Sequence, residues 1–209
     1  MGSTGFVTFV VDDDKAILRS LSRLLAAKGY EVRPYESAEV FLADHDPTVP
    51  GCAILDVSMP GLNGLDVQKA LSREHAVRPI VFLSGSADIP DSVQAMKEGA
   101  VDFLTKPVKS ADLLAAIAVA CDRYATAIEQ GDKVEELRAR LAKLTPRERQ
   151  VLDGVVAGRM NKQIAGDIGI SLKTTKMHRS SMMKKMNVKS VADLVRLASI
   201  PDGGSTGLP

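Results

Sequence analysis

Five short apolar runs alternate with five stretches of helical period between Phe6 and Cys121, and this alternation limits the fold more than any other feature of the chain. The runs are Phe6–Val11, the weaker Tyr30–Tyr35, then Cys52–Leu55, Pro79–Leu83 and Val101–Thr105. Ile17, Leu18, Leu21, Leu24 and Leu25 give the first helix, which stops at Lys28-Gly29. Ala38–Ala43, Asp66–Glu74, Asp91–Lys97 and a segment opening near Ser110 supply the others. A strand that is apolar on both faces has to be covered on both. The pattern therefore predicts an α/β fold, with a parallel five-stranded sheet between helices.

The last of these helices continues beyond the alternating region. Ile117, Cys121, Tyr124 and Ile128 step at coiled-coil spacing, and after Gly131 the step resumes with Val134, Leu137, Leu141 and Leu144. This predicts one long connecting helix, or two hinged at Gln130-Gly131-Asp132, and the seam suggests a dimer contact. An all-helical unit of four helices follows. Thr145-Pro146-Arg147-Glu148 reads as a capping box with Pro at the first helical position, opening a helix that runs to about Ala157. Asn161–Ile168 is a short helix broken at Gly169, Ser171 caps a third over Leu172–Met186, and a fourth covers Ser190–Ala198. The tail from Pro201 to Gly207 reads as disordered. The expected domains are 5–122, a linker helix over 123–143, and 144–199.

Charge divides along the same line. Residues 1–125 hold 12 basic against 17 acidic side chains, while residues 143–198 hold 12 against 4. An acidic first part and a basic last part suggest two jobs, the second having the sign of a phosphate-backbone binder. No apolar run is long enough to span a bilayer, and the start lacks a basic region leading to a cleavage site, so the expected location is the cytoplasm, with no membrane partner. Cys52 and Cys121 are too few for a disulfide framework, lack metal-ligand spacing, and read as small core residues.

In a parallel α/β sheet the side chains at the carboxyl ends of the strands meet along one edge, where ligands bind. That edge should collect Asp12 and Asp13 from the first strand, Asp56 from the third, Ser84 from the fourth and Lys106 from the fifth. One of Asp12–Asp14 should also cap the first helix. Three converging carboxylates would repel one another unless a hard cation were bound, and oxygen ligands suit Mg²⁺. A carboxylate can accept a phosphoryl group as an acyl phosphate, with Lys106 and the Ser84 hydroxyl meeting its oxygens. Each residue alone is unremarkable; four strands ending in suitable chemistry in this order is the signal.

These residues lie in stretches reading VVDDD at 10–14, LDVSMPGLNG at 55–64, LSGSA at 83–87 and DFLTKP at 102–107, and here the chain resembles the response-regulator receiver family. The resemblance implies a (βα)5 flavodoxin-like receiver with Asp56 as phosphoacceptor and Mg²⁺ as cofactor. It also implies Asp13 as a direct Mg²⁺ ligand, Asp12 acting through water, and the backbone carbonyl of Ser58 completing the metal site. Ser84 would be the switch hydroxyl, Phe103 the switch aromatic and Lys106 the phosphate contact. Small side chains at Ser58 and Ser86 leave room for water, so the phospho-form should not persist for many hours. An aspartyl-nucleophile phosphatase would usually need a second acid two residues after Asp56, where Ser58 stands. The expected chemistry is thus limited to the protein's own phosphorylation and dephosphorylation. A receiver kept only as a dimer scaffold would not need Asp12, Asp13, Asp56, Ser84 and Lys106 together.

From Leu144 to Ala198 the chain resembles the LuxR-type helix-turn-helix of the NarL/FixJ branch, through LTPRERQVLDGVVAGRMNKQIAGDIGIS and KTTKMHRSSMMKKMNVKSVADLVRLA. The resemblance implies a base-reading face of Lys176, Met177 and Ser180, with Asn161, Lys162, Thr174 and Lys184 near the DNA backbone. His178 reads as structural. The family commonly has Thr-Val-Lys where this chain has Thr174-Thr175-Lys176, which bears on how the recognition helix packs. The partners implied are a histidine kinase, promoter DNA, RNA polymerase and, on phosphorylation, a second copy of the chain.

Overall fold

A computed structural model of the chain describes residues 5–74, 76–85 and 89–198. Ser86, Ala87, Ser199 and the tail from Pro201 lie outside the described residues. The chain divides into two compact units that meet between Ile128 and Glu129.

The first unit is a five-stranded sheet in the order β2-β1-β3-β4-β5, every adjacent pair parallel. The strands are β1 (Val7–Val11), β2 (Glu31–Tyr35), β3 (Gly51–Asp56), β4 (Ile80–Ser84) and β5 (Asp102–Thr105). Alternating with them are α1 (Lys15–Ala27), α2 (Ala38–Asp44), α3 (Gly64–Arg73), α4 (Ile89–Lys97) and α5 (Ser110–Ala142). The three central strands are wholly buried, whereas edge strands β2 and β5 are largely not. Two apolar clusters, one on each face, follow the two-residue period of a strand. Phe9, Ala53, Leu55, Ile80 and Phe82 belong to one, with Phe41 of α2 and Val67 of α3. Val10, Cys52, Ile54, Val81 and Leu83 belong to the other, with Leu21 of α1 and Ile117 of α5. Cys52 and Cys121 are both free thiols packed in this second cluster, as expected.

The end of the sheet opposite the strand carboxyl ends is locked by a buried cation that the sequence did not advertise. Arg78 is only 6% exposed, lies 4.5 Å over the Phe9 ring, and donates to the carbonyls of Asp46 and Val49 and to His45 Nε2. Accepting that bond requires a neutral imidazole, and burial, then the Arg78 charge, hold the His45 pKa below its ordinary value.

The connecting segment is a single helix rather than two: α5 runs unbroken through Gly131. Most of its apolar seam is covered within the chain. Ile117, Cys121 and Tyr124 pack into the second cluster of the sheet, while Leu137, Leu141 and Leu144 join the core of the second unit. Ile128, 39% exposed, is the seam residue left most open.

In the second unit, α6 (Pro146–Val156), α7 (Asn161–Ile168), α8 (Leu172–Lys185) and α9 (Val191–Ala198) surround Val151, Leu152, Val155, Ile164, Met182, Met186 and Leu194. Thr145 and Glu148 form the expected capping box at the start of α6. Gly169, at φ +69°, ends α7 in the left-handed conformation that glycine adopts without strain. Ser171 caps α8 through its hydroxyl.

Candidate functional site

Topology gathers the acidic site. β1 and β3 are adjacent and in register, so Asp12 and Asp13, just past Val11, emerge beside Asp56 at the end of β3. One oxygen from each of Asp12, Asp13 and Asp56 lies within 4.8 Å of the others. Ser84 closes β4, and β5 pairs with it so that the Lys106 N–H donates to the Ser84 carbonyl at 2.7 Å. The Lys106 ammonium then reaches back across the sheet edge, 2.6 Å from Asp12 Oδ2 and 3.0 Å from Asp56 Oδ2. Asp14 caps α1, accepting from the N–H groups of Ala16 and Ile17 and leaving Asp12 and Asp13 for the pocket.

Burial gives the cluster its character. Asp12 and Asp56 are 1% and 5% exposed, while Asp13 faces solvent. Desolvation pushes the Asp12 carboxyl up, against the opposing pull of the Lys106 hydrogen bond and the Asp14 N–H. Burial also works against the Lys106 charge, but the Asp12 and Asp56 carboxylates outweigh it, and the ammonium pKa is raised. One lysine cannot balance three acids. The donor set, all hard oxygen with one exposed member, fits Mg²⁺.

The loop after β3 is fastened at both ends. The Ser58 N–H donates to Asp56 Oδ1 at 3.3 Å, and Glu39 of α2 accepts from the Leu62 N–H at 3.0 Å. Gly64 opens α3 directly against β3: a Cβ there would stand 2.4 Å from the Asp56 carbonyl oxygen. Phe103 is half-buried with its ring 6.1 Å from that of Phe82.

In the second unit, Lys176, Met177, Ser180 and Lys184 all stand exposed on α8, and Lys173 extends the same row. Lys162, at the start of α7, is also exposed. Asn161 and Thr174 are engaged internally: Asn161 Oδ1 accepts from Arg179 at 2.6 Å, and the Thr174 hydroxyl lies 2.8 Å from that of Ser171. Thr175 is fully buried, and its hydroxyl donates to the Ser171 carbonyl, which settles how the unusual Thr is accommodated. Sequence reading used Glu148 only as a cap and missed its tertiary bonds to Ser181 and Lys185, both at 2.6 Å.

A response regulator receiver domain model matches residues 8–118, and a model of the bacterial regulatory proteins of the luxR family matches residues 142–198. The chain therefore belongs to the NarL/FixJ-type response regulators, two-component transcription regulators that join a receiver to a LuxR-type DNA-binding domain. It is 46% identical over 191 residues to the response regulator protein TmoT of Ectopseudomonas mendocina, covering 91% of this chain and 87% of that protein. It is 42% identical to the transcriptional regulatory protein FixJ of Azorhizobium caulinodans, over 90% of each chain. Among solved structures, the response regulator StyR superimposes with a TM-score of 0.79 at 41% identity, covering 91% of this chain and 96% of that one. No helix among the described residues is long and apolar enough to cross a membrane.

Proposed function

We propose that this chain takes a phosphoryl group from a partner histidine kinase onto Asp56 and, in that state, dimerises and binds promoter DNA through α8. The observation that carries the reading is the convergence of Asp12, Asp13 and Asp56 at one sheet edge, with the Lys106 ammonium against Asp12 and Asp56. An Asp56 carboxylate oxygen attacks the phosphorus, the bond to the kinase imidazole nitrogen breaks, and that nitrogen keeps the electron pair. Asp13, Asp56 and the Ser58 carbonyl would hold Mg²⁺, with Asp12 behind them; when bound it supplies the charge that lets carboxylate and phosphoryl oxygens approach. Lys106 orients Asp56 beforehand and meets the new phosphoryl oxygens afterwards. Ser84 donates its hydroxyl to one of those oxygens, and Phe103 follows it inward, altering the surface of α4, β5 and α5.

On DNA, Lys176, Met177 and Ser180 read bases while Lys162 and Lys184 take phosphates, with Asn161 and Thr174 close to the backbone. Two copies would set their recognition helices about 34–36 Å apart, in successive major grooves. The working bounds are 5–122 for the receiver, 123–143 for the linker helix and 144–199 for the DNA-binding domain. The setting is the cytoplasm, with RNA polymerase as the downstream partner. Asp56→Asn tests the scheme. It should abolish Mg²⁺-dependent acyl-phosphate formation and the DNA-affinity gain produced by a small phosphodonor; a variant that keeps that gain sinks the mechanism.

A further inference from the structure

Five cations stand on α8, and the fold treats them unequally. Lys173, Lys176 and Lys184 are exposed, with no ion pair or hydrogen bond among the described residues. Arg179 is committed in part to Asn161. Lys185 is committed to Glu148, a carboxylate that is only 3% exposed. Every polar atom of that carboxylate is used: Oε1 accepts from the Ser181 hydroxyl at 2.6 Å, and Oε2 accepts from Lys185 at 2.6 Å and the Thr145 N–H at 2.8 Å.

Ser181 and Lys185 are four residues apart and share one face of the helix. Their neighbours Ser180 and Lys184 point about 100° further round, the angular step of an α-helix. Pinning the first pair to α6 therefore fixes the direction in which the second pair faces. Because the anchor is the capping acid of α6, it is set by the same box that starts that helix.

We propose that Glu148 is a positioning residue for DNA recognition: by holding Ser181 and Lys185 it sets the roll of α8, and it withdraws Lys185 from the side chains that meet DNA phosphates. The inference rests on reading α8 as the DNA-facing helix. The Glu148 pKa, lowered to about 2 first by Lys185 and then by Ser181 and the Thr145 N–H, keeps the anchor ionised through the neutral range.

The test is fluorescence anisotropy of the full chain, treated with Mg²⁺ and a small phosphodonor, on a labelled mixed-sequence duplex of about 30 base pairs over a range of salt. Each phosphate contact contributes about −0.9 to the slope of log affinity against log salt concentration. Lys184→Gln, the reference for a true contact, should make the slope shallower by about that amount. Lys185→Gln should bind about tenfold more weakly at fixed salt with the wild-type slope, and Lys185→Arg, which restores the pair, should recover the affinity. Ser181→Ala removes no charge and should shift affinity in the same direction, again with the slope unchanged. Thermal melts establish that each variant is folded at the assay temperature. A slope change in Lys185→Gln matching Lys184→Gln would make Lys185 a phosphate contact and overturn the proposal. Unchanged affinity in folded Lys185→Gln and Ser181→Ala would overturn it too, leaving Glu148 as scaffold alone. A wild-type chain that binds no duplex would instead defeat the DNA-binding reading beneath it.

Discussion

The two units bring charge to their working surfaces in opposite ways. The receiver draws acids and an ammonium from β1, β3 and β5 into one partly buried cluster, where each group's state depends on the others. The DNA-binding unit does the reverse: it buries one acid, Glu148, and leaves Lys173, Lys176 and Lys184 apart and solvated along a single helix. The first arrangement suits the proposed switch, because a charge added at Asp56 would have to rearrange a crowded low-dielectric site. The second suits the proposed binding surface, where exposed cations would contribute separately and be screened by salt.

Matched glycine substitutions should break this comparison most severely. Gly64→Ala places a Cβ 2.4 Å from the Asp56 carbonyl oxygen, a backbone atom in a central strand, so β3 and α3 must separate. The expected cost is about 3 kcal/mol, at the upper end for overpacking, with loss of phosphodonor-dependent labelling. Gly154→Ala, inside α6, meets the Ile164 side chain at 2.7 Å, and relief by side-chain movement plus improved helix propensity should hold the cost near 1 kcal/mol. Denaturant melts of both variants check the order; equal losses would show that the receiver edge is no more rigid than the helical unit.

Mg²⁺ should come next in size and act on one unit. At about 100 times its dissociation constant, a ligand that binds only the native state adds about 2.7 kcal/mol. Hydrogen exchange should slow in β1, β3 and β4 and stay the same in α6 and α8, and Asp13→Asn should remove most of the effect. Protection spreading equally into α8, or surviving intact in Asp13→Asn, would contradict a metal site confined to the receiver edge.

Acid separates the units by a smaller margin. His45 is held neutral, with its folded pKa below the ordinary 6.5, so its contribution is full above that value and declines as pH falls below it toward the folded pKa. Glu148 is depressed instead, so its contribution is present above the ordinary 4.5 and fades only as pH drops toward about 2. Between about pH 6.5 and about pH 5 the receiver should therefore weaken while the helical unit holds. Amide exchange around Asp46 and Val49 against that of α8, followed across this range, reads the difference. His45→Gln, which cannot titrate, should flatten the receiver's curve.

What could be read in the sequence divides along the same lines. The parallel five-stranded sheet and the acidic edge were legible because alternation and strand-end residues are local, and a parallel sheet converts them into one place. A cap of α1 among Asp12–Asp14, which proves to be Asp14, and the Thr145–Glu148 box were legible for the same reason. The long-range commitments of single side chains were not. Nothing near Arg78 announces that it will lie over Phe9 and satisfy Val49 and Asp46, and nothing near Lys185 distinguishes it from Lys184. The heptad-like stripe of α5 states that a face will be buried, not by what. Here two cores inside one chain took it up.

Thr175 offers the finest test, since the two units should respond differently to one misplaced hydroxyl. The residue is fully buried on α8, and its hydroxyl donates to the Ser171 carbonyl at 3.1 Å. That carbonyl already accepts the Thr175 N–H at 2.9 Å, so removing the hydroxyl strands no acceptor. Thr175→Val should therefore be neutral or stabilising by about 0.5 kcal/mol, with DNA affinity and its salt slope unaltered. Thr8, buried in β1, has a hydroxyl with no hydrogen-bond partner among the described residues stronger than the neighbouring Cys52 thiol, so Thr8→Val should gain more, about 1 kcal/mol, by removing a poorly satisfied polar atom. If Thr175→Val instead weakens DNA binding, the hydroxyl shapes the recognition helix, and the tolerance attributed to its packing is wrong.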